Sequence, residues 1–468
     1  MFRAPSLLLF LGLGVVVGDD GLAIVQFDDY VLAQRIAVVA LVVILFEGGL
    51  STSLSEMRRM AAPALLLATV GVMVTAGVLS LVVIGLTDIP TETAVLLAVV
   101  VASTDAAAVF AVMRHTPAPR RLTSLVETES GANDPMAVLL TVGVLAAWEG
   151  DPTAADWLVF GLRQMVGGLV IGLLVGRLGA LVMGRLRLES SALYPVLAVG
   201  LAGVAYGAGA AAGCSGFLAV YVAGLVLAAS SPRHRRSIRR FHEGLASVSQ
   251  IALFTLLGLL VFPSELPSVA GSALIAVIGL TFVARPLAVA LCLPWFGFDR
   301  REYLFASWAG LRGAVPVVLA TFPLAAGHPD GALVFNIVFF VVLMSAAVQG
   351  LTIAPLARRL GLGAGHATWD AVADLTSIDD VGIDVVEVEI NESSAVADRP
   401  LHEVPLPGSA RVAAVLRDDG ITVPNGATLI RAGDLLVVVA PSGETLAAEL
   451  TAWAEGPHPD ADQPPELA

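Results

Sequence analysis

Residues 124–147 read SLVETESGANDPMAVLLTVGVLAA, and the first half of this stretch carries Glu127, Glu129, Ser130, Asn133 and Asp134. From Met136 to Ala147 no charged residue occurs, so the second half reads as a helix in an apolar medium. On one helix Ser130 and Asp134 are i,i+4 neighbours, as are Glu129 and Asn133, and the four form one broad polar strip. That strip cannot face lipid. Other segments must cover it, and the nature of those segments decides the fold.

The surroundings are apolar. Of 468 residues, 57% are hydrophobic and 14% charged, well short of the roughly one quarter charged in a soluble domain. Water alone would not keep such a chain dispersed. From Pro5 to about Leu360 apolar runs alternate with short polar loops, and a helix needs about 20 apolar residues to cross a hydrocarbon layer of about 30 Å. The runs predict about twelve spans, near 5–18, 31–50, 62–86, 92–113, 124–147, 157–184, 192–209, 213–230, 244–263, 268–293, 302–324 and 331–357. The first could pass for a signal peptide, but no small-residue cleavage site precedes a soluble domain, so it counts as a membrane helix.

Loop charge alternates along the chain. Arg58-Arg59, the runs Arg114 to Arg121 and Arg233 to Arg240, Arg185 with Arg187, Arg300-Arg301 and Arg358-Arg359 occupy every second connection, and acids such as Asp19-Asp20, Asp88, Glu265 and Asp330 occupy the others. The positive-inside rule puts the arginine loops, and all that follows Arg359, in the cytoplasm. After Arg359 hydropathy falls. Residues 361–373 read as a linker, 374–455 as a small α+β domain and 456–468 as a disordered tail. In the domain, Val385–Ile390, Ala410–Leu416 and Leu435–Val439 read as strands and 443–454 as a closing helix. The expectation is an all-α polytopic membrane protein with inverted repeats and two broken crossing helices over residues 1–360, plus this cytoplasmic domain.

Composition also excludes some functions. Much of the net charge of −14 lies in the C-terminal hundred residues, and without a basic face the chain is no nucleic-acid binder. Cys214 and Cys292 read as packing residues inside spans, and the seven histidines as residues of loops and of the soluble part without metal-ligand spacing. No cofactor and no covalent chemistry is called for.

Ionisable groups inside spans mark function. Besides residues 127–134, they include Asp105 after Ser103-Thr104, Arg285 before Pro286, and Arg312 in Gly310-Leu311-Arg312-Gly313. Counting about 1.5 Å per residue from each loop puts Thr104, Asp134 and Gly313 midway through their spans and Arg285 slightly nearer the cytoplasm. Ser103-Thr104 and residues 310–316 are also places where a helix can open, freeing backbone carbonyls for a cation. A carboxylate shielded there, as Asp134 is, is stable when neutralised by a proton or by a monovalent cation, so one expels the other. If only occupied states cross, the result is obligatory exchange. Glu129 and Asp134 are alternatively structural partners of Arg285 and Arg312, and Thr104 and Ser130 can simply back-bond to their own helices. Glu47, Glu127 and His115 read as residues of helix ends or loops, and Gly168, Gly172 and Gly176 as a close-packing stripe.

Ser103-Thr104-Asp105, Glu129-Ser130-Gly131-Ala132-Asn133-Asp134-Pro135, Ala284-Arg285-Pro286-Leu287 and Gly310-Leu311-Arg312-Gly313-Ala314 together resemble the monovalent cation:proton antiporter-1 family in order and spacing. Gly216-Phe217-Leu218-Ala219-Val220-Tyr221-Val222-Ala223-Gly224 and Phe335 to Phe340 are similar to its NhaP-type potassium/proton branch, whose members carry a TrkA-C (RCK C-terminal) domain. The resemblance implies exchange of K+ or Na+ for H+ in the bacterial inner (plasma) membrane. It implies Asp134 as the shared proton and cation site, Ser130 and Thr104 as further ligands, and Asp105 and Asn133 in the same core. It also implies a Glu129–Arg285 pair, Arg312 at the crossing of the broken helices, electroneutral exchange from the Asn-Asp pair, a homodimer, and a small-molecule or nucleotide ligand on the C-terminal domain. Family members begin with a further helix before the segment that matches Pro5 onward. An RCK-gated cation channel is the alternative, disfavoured because no Thr-Val-Gly-Tyr-Gly-like filter is present; a sodium-coupled uptake carrier is a third.

Overall fold

The computed structural model describes residues 6–362 and 372–455, apart from 28, 53, 106–119, 149, 151–152, 187, 189, 191, 231–234, 379–382, 391–393, 418–419 and 442–445. His115, the arginines at 114, 187 and 233, residues 106–113 of the span expected at 92–113, most of the linker, Asp418-Asp419 and the tail at 456–468 lie outside the described residues. The chain divides into two units, residues 1–365 and 366–468.

The first unit is helical. Its elements are α1 Ser6–Val17, α2 Tyr30–Ser51, α3 Leu54–Leu66, α4 Val72–Leu86, α5 Thr91–Val100, α6 Arg120–Trp148, α7 Ala154–Arg185, α8 Leu193–Ala211, α9 Gly216–Ala229, α10 Arg235–Leu259, α11 Leu266–Ile278, α12 Arg285–Cys292, α13 Arg300–Trp308, α14 Ala314–Ala325, α15 Gly331–Met344 and α16 Gly350–Arg359. Wide π-helical turns at Leu67–Gly71, Gly279–Ala284 and Ser345–Gln349 join α3 to α4, α11 to α12 and α15 to α16. Among the described residues, seven continuous helices are long and apolar enough to cross a membrane. With 22 residues, α2 is about 33 Å long at about 1.5 Å per residue, which matches a bilayer core.

Polar residues fix where these apolar helices begin. Thr153 and Asp156 form a reciprocal capping box at the start of α7, and Asp299 with Glu302 another at the start of α13. Many of the side chains that α7 leaves exposed are apolar: Leu158, Leu162, Leu174 and Leu178 are each more than half exposed, with Arg163 and Arg177 exposed among them. Such a surface suits lipid, not water. Inside, Gly168, Gly172 and Gly176 of α7 lie against Ser215, Ala219 and Ala223 of the α9 segment.

Two readings of the sequence need correction. The span expected at 244–263 begins at Arg235, so Arg235 to Arg240 form the first turns of α10 and not a loop. As a result His242, assigned to a loop, is a helical residue, 1% exposed, with its ring 5.3 Å from that of Phe46. Cys214, in turn, sits in the turn between α8 and α9 and not inside a helix.

The second unit is a five-stranded antiparallel sheet in the order β1-β2-β5-β3-β4, made of β1 Val372–Ile378, β2 Ile383–Glu389, β3 Arg411–Arg417, β4 Gly420–Thr422 and β5 Leu435–Pro441, with α17 Leu446–Glu455. Period-2 alternation sends Val386 and Val388 of β2 and Leu436 and Val438 of β5 to one buried face, in the register Val386↔Val438 and Val388↔Leu436. Leu450 and Ala454 of α17 join that core.

Candidate functional site

Helix α5 stops at Val100, and residues 102–105 continue without helical hydrogen bonding. Helix α13 stops at Trp308, residues 310–313 are non-helical, and α14 starts at Ala314. The two interruptions meet. The Asp105 N–H donates to the Leu311 carbonyl at 2.8 Å, and Arg312 Nη1 donates to the Ser103 carbonyl at 2.7 Å. Asp105 Oδ2 lies 3.4 Å from the first amide of α14. A carboxylate suits that position, because a helix start carries partial positive charge.

Helix α6 lays its polar strip against this junction. Ser130 Oγ donates to the Thr104 carbonyl at 3.0 Å and Asn133 Nδ2 to Thr104 Oγ1 at 2.6 Å. Asp134, one turn beyond Ser130, is 7% exposed. Its Oδ1, Asn133 Oδ1 and Ser103 Oγ are buried without a hydrogen-bond partner among the described residues. Buried oxygens left unpaired are costly unless something that carries hydrogens or positive charge joins them.

Glu129, on the same helix, faces elsewhere. Arg285 grips it with two bonds, Nη1 to Oε1 at 2.5 Å and Nη2 to Oε2 at 2.9 Å, and Arg285 Nη2 also donates to the Ala306 carbonyl at 3.2 Å. The structure thus separates two carboxylates that the sequence sets five positions apart: Glu129 in a bidentate ion pair, Asp134 against unpaired oxygens. Arg312, 2% exposed, lies at the junction of the interruptions. Glu47 accepts a hydrogen bond from the Ser51 hydroxyl in the last turn of α2.

Two residues of this assembly escaped the sequence reading. The Arg312 N–H donates to Ser345 Oγ at 2.9 Å, Ser345 donates on to Gln349 Oε1 at 2.6 Å, and Gln349 Nε2 reaches the Trp308 carbonyl at 3.3 Å. The π-helical turn Ser345–Gln349 therefore satisfies backbone groups that the break in the α13–α14 segment leaves open. A glutamine within an apolar span was the available signal, by the same rule that singled out Asp134.

A buried carboxylate where two non-helical stretches meet inside a membrane bundle defines a secondary transporter of the broken-helix class. The transmembrane sodium/hydrogen exchanger family matches residues 1–359, and the chain belongs to that family. The TrkA-C domain matches residues 385–450. The chain is 41% identical over 424 residues to the K+/H+ antiporter NhaP of Alkalimonas amylolytica, covering 89% of this chain and 73% of that protein. It is 36% identical over 447 residues to the K+/H+ antiporter NhaP2 of Shewanella sp. strain ANA-3, covering 93% and 76%. Among solved structures, the sodium proton antiporter MjNhaP1 of Methanocaldococcus jannaschii superposes with a TM-score of 0.67 at 21% identity, covering 74% of this chain and 93% of that one. That last likeness is one of fold.

Proposed function

We propose that the chain exchanges a monovalent cation, potassium ahead of sodium, for protons across the plasma membrane by alternating access, at a site made by Asp134, Thr104, Ser130, Asn133 and Asp105. The observation that carries this reading is the burial of Asp134 with an oxygen unpaired, next to a helix interruption whose Ser103 hydroxyl and Asn133 carbonyl oxygen are also unpaired. A proton and a dehydrated cation are each able to satisfy such a group, but not together. Glu129 and Arg285 take the structural role, and Arg312 holds the crossing. The names of the relatives favour potassium as cargo. The Asn133-Asp134 pair fits one proton per cation, and the resemblance adds a homodimer.

Arginines in the loops and helix ends put the C-terminal domain on the cytoplasmic side in this reading, where it binds a small ligand such as a nucleotide and sets the transport rate. Flux measured after deletion beyond Gly361 shows the sign of that control. The exchange itself is tested by adding potassium, sodium or lithium to everted vesicles that hold a preformed pH gradient. Collapse of the gradient is expected with potassium; no response to any of the three in vesicles holding folded protein overturns the reading.

A further inference from the structure

Helix α9 carries the run Gly216 to Gly224, which the exchange site does not use. Its backbone is seated directly on α2. A Cβ added to Gly49 would stand 3.1 Å from Gly224 Cα, and one added to Gly224 would stand 3.2 Å from Gly49 Cα. The helices touch main chain to main chain, as small residues allow. Toward α6, α9 presents Tyr221, which is 5% exposed. Its ring lies over the Cα of Gly131, where an added Cβ would meet ring atoms Cε2 and Cζ at 2.8 Å. The hydroxyl is within hydrogen-bonding range of the Thr52 side chain and in electrostatic reach of Glu127 and Asp134. Thr52 is buried and donates its own proton to the Gly48 carbonyl at 2.6 Å.

The order along α6 gives this contact its meaning. Glu127, Gly131 and Asp134 follow one another from the Arg120 end, separated by about 6 Å and about 4.5 Å at 1.5 Å per residue. The phenol therefore stands between Glu127 and Asp134. Thr52, the C-cap of α2, lies near it, beyond the last turn of that helix. The contact of the ring with Gly131 holds it, and such a contact is reversible. We propose that Tyr221 is the cytoplasmic gate of the exchange site: its ring on Gly131 closes the way between the cytoplasm and Asp134, and α6 must slip from under it for cargo to pass on that side. This rests on the proposed function for the location of cargo and for the side that is cytoplasmic. Gly131 is then glycine because the closed gate occupies the space of a side chain.

The test reads access without reading transport, so it stands or falls apart from the exchange assay. Asp134→Cys is placed in full-length protein in which Cys214→Ser and Cys292→Ser remove the native thiols. Labelling by a membrane-impermeant charged maleimide is then followed in everted vesicles. Tyr221→Ala is expected to raise the labelling rate at position 134 by tenfold or more, and Gly131→Ala, which pushes the ring aside, by at least threefold. Tyr221→Phe, which keeps the ring and loses only the hydroxyl, changes it by less than threefold. Glu127→Cys, on the open side of the ring, labels at one rate with or without Tyr221→Ala. An unchanged rate at position 134 in Tyr221→Ala overturns the gate, and so does an equal rise at positions 127 and 134, which means general loosening. If Tyr221→Ala does not reach the membrane, Tyr221→Leu takes its place with the same expectations.

Discussion

Arg312 donates to the carbonyl of Ser103 across 2.7 Å, so a cation from the interruption between α13 and α14 satisfies a carbonyl of the non-helical stretch that follows α5. A buried backbone carbonyl outside a helix has no helical donor of its own, and a buried guanidinium requires such an acceptor. The same residue hands its backbone N–H to Ser345. One side chain and one amide thus tie together three segments that are far apart in sequence.

Arg312→Ala should therefore loosen the crossing more than it alters any surface. Loss of a charged hydrogen bond to a buried acceptor costs about 1.5–3 kcal/mol, and purified protein in detergent should melt several degrees lower. Arg312→Lys, which keeps the charge and loses the fork, should recover part of the melting temperature but only a minority of transport.

Glu129 and Arg285 should be coupled as a pair. Removing one partner of a buried ion pair costs about 3–5 kcal/mol, because the other charge is left alone. Glu129→Leu and Arg285→Met should each destabilise strongly, whereas the double variant should regain more than half of the loss. The check is a thermal-stability double-mutant cycle, and additive losses would mean that the pair is not a unit.

Thr104 contributes both its carbonyl and its hydroxyl to α6. Thr104→Val removes only the hydroxyl. Asn133 then loses its acceptor, and the half-saturating cation concentration should rise by about tenfold, equivalent to about 1.4 kcal/mol, with the maximal exchange rate changed less than threefold. Titration of potassium-dependent proton flux in vesicles separates the two parameters.

The membrane bundle was legible because apolar runs of helical length leave little choice, and a candidate site could be named because charged residues inside such runs are rare. What could not be read follows from the same physics. Ser345 and Gln349 serve the break in the α13–α14 segment through a π-helical turn, and no periodicity announces such a turn. Tyr221 is legible only as one residue of the run Gly216 to Gly224, because the glycine it packs on, Gly131, is far away in sequence. Strands β1 and β4 escaped because β1 alternates weakly, with Asp374 and Ser377 in it, and β4 is three residues long. Arg235 to Arg240 read as a loop because charge interrupts hydropathy, whereas a helix tolerates basic residues at its end where it leaves the lipid.

In the C-terminal unit, burial raises the Asp434 carboxyl, but hydrogen bonds from Arg417 and the Arg431 amide, with the charges of both arginines, outweigh it and hold the group below the usual carboxylate range. Arg417 reaches it through Nε at 2.7 Å and Nη2 at 3.0 Å. Because the folded-state value is depressed, the stabilisation is full above the unfolded value of about 3.9 and is lost as pH falls through the folded one. Limited proteolysis of the full chain should show this unit resistant at pH 7 and progressively cut below about pH 4. Asp434→Asn should be cut faster already at pH 7, by an amount that corresponds to about 2 kcal/mol.

The central claim is that proton and cation share Asp134. Purified wild-type protein and Asp134→Asn, reconstituted into liposomes loaded with a pH dye, should be compared after a potassium gradient is imposed. Wild type should move protons against the potassium flow, and the variant, equally folded and equally incorporated, should move neither ion above empty liposomes. Coupled exchange that survives in Asp134→Asn at more than a tenth of the wild-type rate would contradict the account.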